Sequence, residues 1–421
     1  MSAGKTDPSR RPNAPKARGR HFFFNPGPTN IPDAVLAALH HTSMDFMGAE
    51  FAAIQNRVHG GIKQLLKTEQ NLLLYAANGH GAWEASLVNC FSPGEKLLLL
   101  ESGYFASDWG RMAGDLGYDI EALPADWRTG VAVADVEARL KADVSGTIKG
   151  VLVVHNETAT GVVHPVLEMR RALDRTGHKA LLVVDAISSF GSLDIPFDAW
   201  GIDVLVAGSQ KGLMMVTGMS LTGISKKALA RSQSVATPRG YFDWRYLMGA
   251  EPQRFPGTSP THLFQGLDAA MRIIEDEGFE NTLARHRRFG TAVRAAVAAW
   301  SGGARSGVKI TAAGFSGKIG AIERMCTDPA RVSDSVTTIL LPDGHDANAF
   351  RALAHQRYNL ALGGGLGPLA GRAFRIGHMG DLNVPMLLGA LATTELALAD
   401  AGIPHKTGAV EAAIRSLREA A

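Results

Sequence analysis

Short, continuously apolar runs recur along residues 50–220, each closed by small or polar residues. They are "LLLY" (72–75), "KLLLLES" (96–102), "GVLVVH" (150–155), "ALLVVD" (180–185) and "DVLVAG" (203–208). None alternates with polar residues. A strand that is apolar on both sides of its pleat is one covered on both faces, so these runs predict a buried, largely parallel sheet. Helical patterns separate them. In one, Pro165 marks the start, Val166, Met169 and Leu173 share a face, and Gly177 marks the end. This alternation predicts an α/β architecture.

The pattern changes after residue 280. Residues 280–300 read as one long helix, followed by "SGGARSGVKITAAGFSGKIG" (301–320) with its six glycines. Strands are expected at 335–341 and 374–378, and a final helix from about Val384. Three parts follow: a basic, disordered extension (1–21), a large α/β domain (22–282) and a smaller C-terminal α+β domain (283–421).

Charge sharpens this division. The net charge is +3, but residues 1–20 carry six Lys/Arg against one Asp, a net of +5 that leaves −2 for the rest. The folded body is therefore not expected to bind nucleic acid. No run reaches the ~18 apolar residues that a membrane span needs. Two cysteines, Cys90 and Cys326, make no disulfide framework and no metal-binding pattern, so no metal is expected. A cytoplasmic protein is expected.

Ligands of an open parallel sheet sit beyond the carboxyl ends of its strands, so the residues there carry the candidate chemistry. After the first run comes Gly79-His80-Gly81 at a helix start, where free N–H groups suit a phosphate. Gly103-Tyr104-Phe105 offers an aromatic face, and Asn156-Glu157-Thr158-Ala159-Thr160-Gly161 a polar cluster. Asp185 ends a wholly apolar strand. Lys211 follows the next one, in "VLVAGSQKGL" (204–213). A phosphate cradle, an aromatic plate, hydroxyls, an acid and a lysine are the parts that pyridoxal phosphate requires.

The matching stretches "NPGPTNIP" (25–32), "GHGAWEASLVNCFSPGEK" (79–96), "HNETATGV" (155–162), "VVDAISSFGS" (183–192), "GIDVLVAGSQKGL" (201–213) and "FRIGHMG" (374–380) resemble the class V, fold-type I aminotransferases. The resemblance is greatest to the serine–glyoxylate and alanine–glyoxylate members. It implies a large domain built on a mostly parallel seven-stranded-type sheet flanked by helices. It also implies a pyridoxal 5'-phosphate cofactor and a homodimer with shared active sites. By it, Lys211 is the Schiff-base lysine, Asp185 the partner of the ring nitrogen, Phe105 the stacking ring and Thr158 the contact to the ring hydroxyl. Gly79, His80 and Gln210 would hold the phosphate, with Thr258 supplied by the other subunit. Arg375 would grip the substrate α-carboxylate, and Gly27 would line the substrate pocket.

The implied reaction is a ping-pong transfer of an amino group from serine, alanine or aspartate to glyoxylate. A class V lyase or desulfurase, another small 2-oxo-acid aminotransferase and a non-enzymatic dimer are the alternatives. A desulfurase needs a nucleophilic cysteine, and Cys90 falls in an apolar helix. The chain departs from its relatives at Phe46-Met47, at "MMVTG" (214–218), at Phe255 in place of a tyrosine, and in the insertion-like segment 302–320.

Overall fold

The computed structural model describes residues 18–249, 253 and 255–419. Most of the basic extension, residues 1–17, lies outside them. The central sheet has seven strands in the order Asn71–Tyr75, Ser220–Ile224, Val204–Gly208, Leu181–Asp185, Ile148–Val154, Lys96–Glu101, Asp119–Pro124. All run parallel except Ser220–Ile224, which is antiparallel to both neighbours.

The side chains explain why the predicted runs are apolar without alternation. Leu98, Leu100, Val151, Val153, Leu182, Val184, Leu205 and Ala207 enter one apolar core. Their sequence neighbours Leu97, Leu99, Leu152, Val154, Leu181, Val183, Val204 and Val206 enter another on the opposite face. The two-residue period of the pleat divides each run between two helical layers. Helices Gly79–Cys90 and Tyr104–Asp115 cover the second face, and Ala49–Leu65, Val166–Thr176 and Thr261–Glu277 the first. Helix Val166–Thr176 ends at Gly177 in the left-handed conformation (φ 66°), as the glycine predicts.

A second sheet has the order Phe22–Phe24, Leu360–Gly364, Ala373–Gly377, Val336–Leu340, Glu323–Arg324. It packs with helices Phe279–Ser301, Ala347–Tyr358, Val384–Asp400 and Ala409–Glu419 around its own core. The expected final helix is thus two helices, parted at Gly402 (φ 65°), which follows the first. The 301–320 segment is not all loop: Ile310–Thr311 and Gly314–Phe315 form a short ribbon.

The N-terminal strand ties the two bodies together. Phe22–Phe24 pairs in parallel with Leu360–Leu362, and the chain then crosses to the large sheet. It passes where two glycines lack side chains. A Cβ on Gly363 would lie 2.6 Å from Pro26, and one on Gly377 2.7 Å from Asn25 and Pro26. Beyond the crossing, the Thr29 N–H donates to the Gln210 carbonyl (3.2 Å) and the Thr29 hydroxyl to the Lys211 carbonyl (3.1 Å).

Candidate active site

The carboxyl ends of the parallel strands converge on a set of buried ionisable side chains. Asp185 is the last residue of its strand, with Val154 and Val206 beside it in register. Its odd number in the pleat turns it toward the face of Leu181 and Val183, where helix Gly79–Cys90 packs. There the Trp83 indole N–H donates to Oδ2 (3.1 Å), and the Ile187 N–H donates to Oδ1 (2.6 Å). Burial nevertheless dominates and raises the carboxyl pKa to about 6.

Lys211 lies three residues past the neighbouring strand and is 8% exposed. Its Nζ donates to the Pro26 carbonyl (2.5 Å). Burial, reinforced by the Arg375 cation, lowers its pKa to about 7, against the opposing pull of Asp185 and Glu157. Gly27 is required here twice over. Its φ is +115°, and a Cβ on it would lie 2.3 Å from Lys211 Cδ and Nζ.

Arg375 reaches the same cleft from the second sheet. Its Nε donates to the Gly364 carbonyl (2.7 Å) and its Nη1 to the Thr158 carbonyl (3.1 Å). Burial lowers its pKa to about 10, so it stays a cation at neutral pH. Its Nη2 makes no hydrogen bond among the described residues.

Of the other predicted residues, Gly79 opens helix Gly79–Cys90 close beneath Ile187, whose Cδ1 would be 2.4 Å from a Cβ there. The Asn78 side chain accepts the N–H groups of His80 (3.1 Å) and Gly81 (3.3 Å), so the helix start already has a cap. His80 is half-exposed, 3.2 Å from Asp108 Oδ2 and with its ring centroid 4.4 Å from that of Trp83. Phe105 is partly buried in the first turn of helix Tyr104–Asp115. The Gln210 amide forms no side-chain hydrogen bond among the described residues, although its Oε1 is fully buried. Thr258 stands apart from these contacts: it is exposed in the turn before helix Thr261–Glu277.

Two groups escaped the sequence reading. Trp83 orients Asp185. Glu157 is a fully buried acid whose Oε2 accepts the Ala106 N–H (3.1 Å) and whose Oε1 accepts the Ala159 N–H (3.0 Å). A charged residue inside an otherwise uncharged buried stretch, "GVLVVHNETATGVV", was the available signal for Glu157.

The family model described as aminotransferase class-V matches residues 21–307. The chain belongs to the class V aminotransferases. Among curated relatives, this aminotransferase is 41% identical to the serine–glyoxylate aminotransferase of Methylorubrum extorquens, over 96% of this chain and 98% of that one. It is 40% identical to the L-aspartate–glyoxylate aminotransferase of Paracoccus denitrificans, over 93% and 94%. The crystal structure of pyridoxamine–pyruvate aminotransferase from Mesorhizobium loti matches with a TM-score of 0.84 and 25% identity, covering 95% of this chain and 97% of that one. The fold is that of the fold-type I enzymes. No helix among the described residues is long and apolar enough to cross a membrane.

Proposed function

We propose that this enzyme transfers the amino group of a small L-amino acid to glyoxylate, giving a 2-oxo acid and glycine. The observation that carries the reading is the cleft itself: a buried amine with a pKa near 7, a buried acid on the adjacent strand and a buried guanidinium whose Nη2 bonds nothing among the described residues. The residues fit pyridoxal 5'-phosphate. The Gln210 amide, whose Nε2 donates to nothing among the described residues, and the Gly79 backbone would suit its phosphate, Asp185 its ring nitrogen, and Lys211 its aldehyde. When bound, this cofactor supplies an electron sink for the substrate's Cα. Phe105 would face the ring, Thr158 would meet its hydroxyl, and His80 would close the phosphate end.

The chain's own groups then have defined tasks. Arg375 would fix the substrate α-carboxylate in both halves of a ping-pong cycle, since amino acid and glyoxylate share that group. The Lys211 amine, whose lowered pKa favours its neutral form, would carry the Cα proton. Gly27 would leave the backbone wall low where the substrate approaches. Asp185 would hold its carboxylate toward a ring N–H, a charge partner that lowers the carboxyl pKa again.

The reading includes a cytoplasmic homodimer in which Thr258 of one subunit completes the phosphate site of the other. The desulfurase alternative is disfavoured by the thiols: burial pushes the Cys90 pKa strongly upward and that of Cys326 up to about 11. The test is glycine formation from glyoxylate with serine, alanine or aspartate as donor. One donor should support turnover; sulfide release from cysteine with no glycine formed would refute the proposal.

A further inference from the structure

We propose that Glu157 is a positioning residue whose single carboxylate ties the first turn of helix Tyr104–Asp115 to the 156–161 turn, fixing Phe105 and Thr158 relative to one another. The inference rests on the reading above, in which those two side chains hold the cofactor ring.

Helix Tyr104–Asp115 has an unmet need at its start. Its flanking residue is Gly103, which has no side chain to accept the free N–H groups of the first turn. Glu157 supplies the acceptor from a distant part of the chain, taking the Ala106 N–H on Oε2. An anion at a helix N-terminus is also favoured by the aligned peptide dipoles. The other oxygen, Oε1, takes the Ala159 N–H and so closes the turn that carries Thr158. Each oxygen thus serves a different wall of the cleft. Phe105 directly precedes Ala106, and Thr158 lies between Glu157 and Ala159.

The surroundings are shaped around this carboxylate. A Cβ on Gly103 would lie 2.2 Å from Glu157 Cγ and 2.5 Å from Cδ, so the glycine is what admits the acid. The Glu157 main-chain carbonyl meanwhile accepts the N–H groups of Thr160 (3.1 Å) and Gly161 (2.8 Å), which holds the turn that aims its side chain. Burial raises the carboxyl pKa to about 7, and the backbone donors oppose that rise. A buried acid that bonds only backbone donors contributes shape more than pairing energy.

Glu157→Gln keeps the length of the side chain but has one acceptor, so one of the two N–H groups would face an NH₂ donor. We expect the variant to fold, with its far-UV circular dichroism unchanged. Its dissociation constant for pyridoxal phosphate should rise about tenfold, which corresponds to ~1.4 kcal/mol. The visible circular dichroism of the bound cofactor should weaken, because the ring is less rigidly held. Glu157→Asp retains the charge but is too short to serve both walls, so it should not restore affinity. Gly103→Ala, which displaces the carboxylate without altering any charge, should reproduce the loss. The proposal is overturned if Glu157→Gln binds the cofactor within twofold of the native enzyme with the same visible dichroism. Rescue by Glu157→Asp overturns it too, since charge alone would then suffice. So does failure of both Glu157→Gln and Gly103→Ala to give soluble protein, since the role would then be in folding. If the native enzyme itself binds no pyridoxal phosphate, it is the functional reading that fails.

Discussion

The charged groups of the cleft and the exposed positions singled out in the sequence sit in different surroundings. Lys211, Asp185, Glu157 and Arg375 are 8%, 4%, 0% and 7% exposed, while Phe46 and Met47 are 43% and 84% exposed and Thr258 lies open to solvent. On the floor, the main chain holds every charge. Pro26 O meets Lys211, the Ile187 N–H meets Asp185, two N–H groups meet Glu157 and two carbonyls meet Arg375. Backbone dipoles fix these groups in place without cancelling their charge, so burial sets their protonation and leaves them free for a ligand.

Lys211→Ala is the hardest blow to the floor. Turnover should fall by at least about 10³-fold, since a positioned proton carrier is worth that much, while the far-UV spectrum is retained. A variant with full activity would remove the lysine from the chemistry. Arg375→Ala should act mainly on binding, raising KM for both the amino donor and glyoxylate by roughly 10- to 100-fold, the cost of losing a buried charge contact. If only one of the two substrates is affected, the shared-carboxylate role is wrong.

The floor and the packed interior also differ in how they respond to pH. Burial lowers the pKa of His155, His286 and His378 to about 3 and of His59 and His164 to about 4. Groups depressed in the fold contribute stability that is complete above the unfolded value of 6.5 and is lost as pH falls. Asp185 and Glu157, raised to about 6 and 7, work in the opposite sense. Their contribution is complete below about pH 4 and is lost as pH rises through 6–7. Five histidines outweigh two acids, so unfolding of the cofactor-free chain near pH 5.5 should take up roughly three protons. Urea midpoints should drop between pH 7 and pH 5; a flat profile would mean that these histidines are not buried neutral.

The smallest effect is expected at the exposed Thr258. Thr258→Ala should weaken pyridoxal phosphate binding only about fivefold, as for one hydrogen bond of ~1 kcal/mol. If the site is shared, mixing Thr258→Ala with Lys211→Ala subunits should give hybrid dimers with one fully native site. Absence of any regained activity on mixing would favour a site made by one chain.

The central strands were legible because both of their faces are buried, which leaves apolar runs no helix of that length would show. The strands that went unread have other chemistry. Asp119–Pro124 is an edge strand, half-exposed along its length, and Ser220–Ile224 is buried yet contains Ser, Thr and Gly. Leu360–Gly364 is hidden in a glycine-rich stretch whose glycines exist to let Pro26 and the Arg351 side chain approach. In the site, Lys211 and Asp185 could be read because they sit at or just past the carboxyl ends of their strands. Glu157 stood out only as a lone charge in an uncharged stretch and could not be given a role, because its partner Ala106 lies 51 residues away. Trp83 was hidden for the same reason, 102 residues from Asp185.

The most direct test of the account is the near-visible absorption spectrum of the purified enzyme, followed through addition of serine, alanine or aspartate and then glyoxylate. The account predicts a cofactor band that bleaches with one donor and returns when glyoxylate is added. No such band, even after pyridoxal phosphate is supplied, would contradict it.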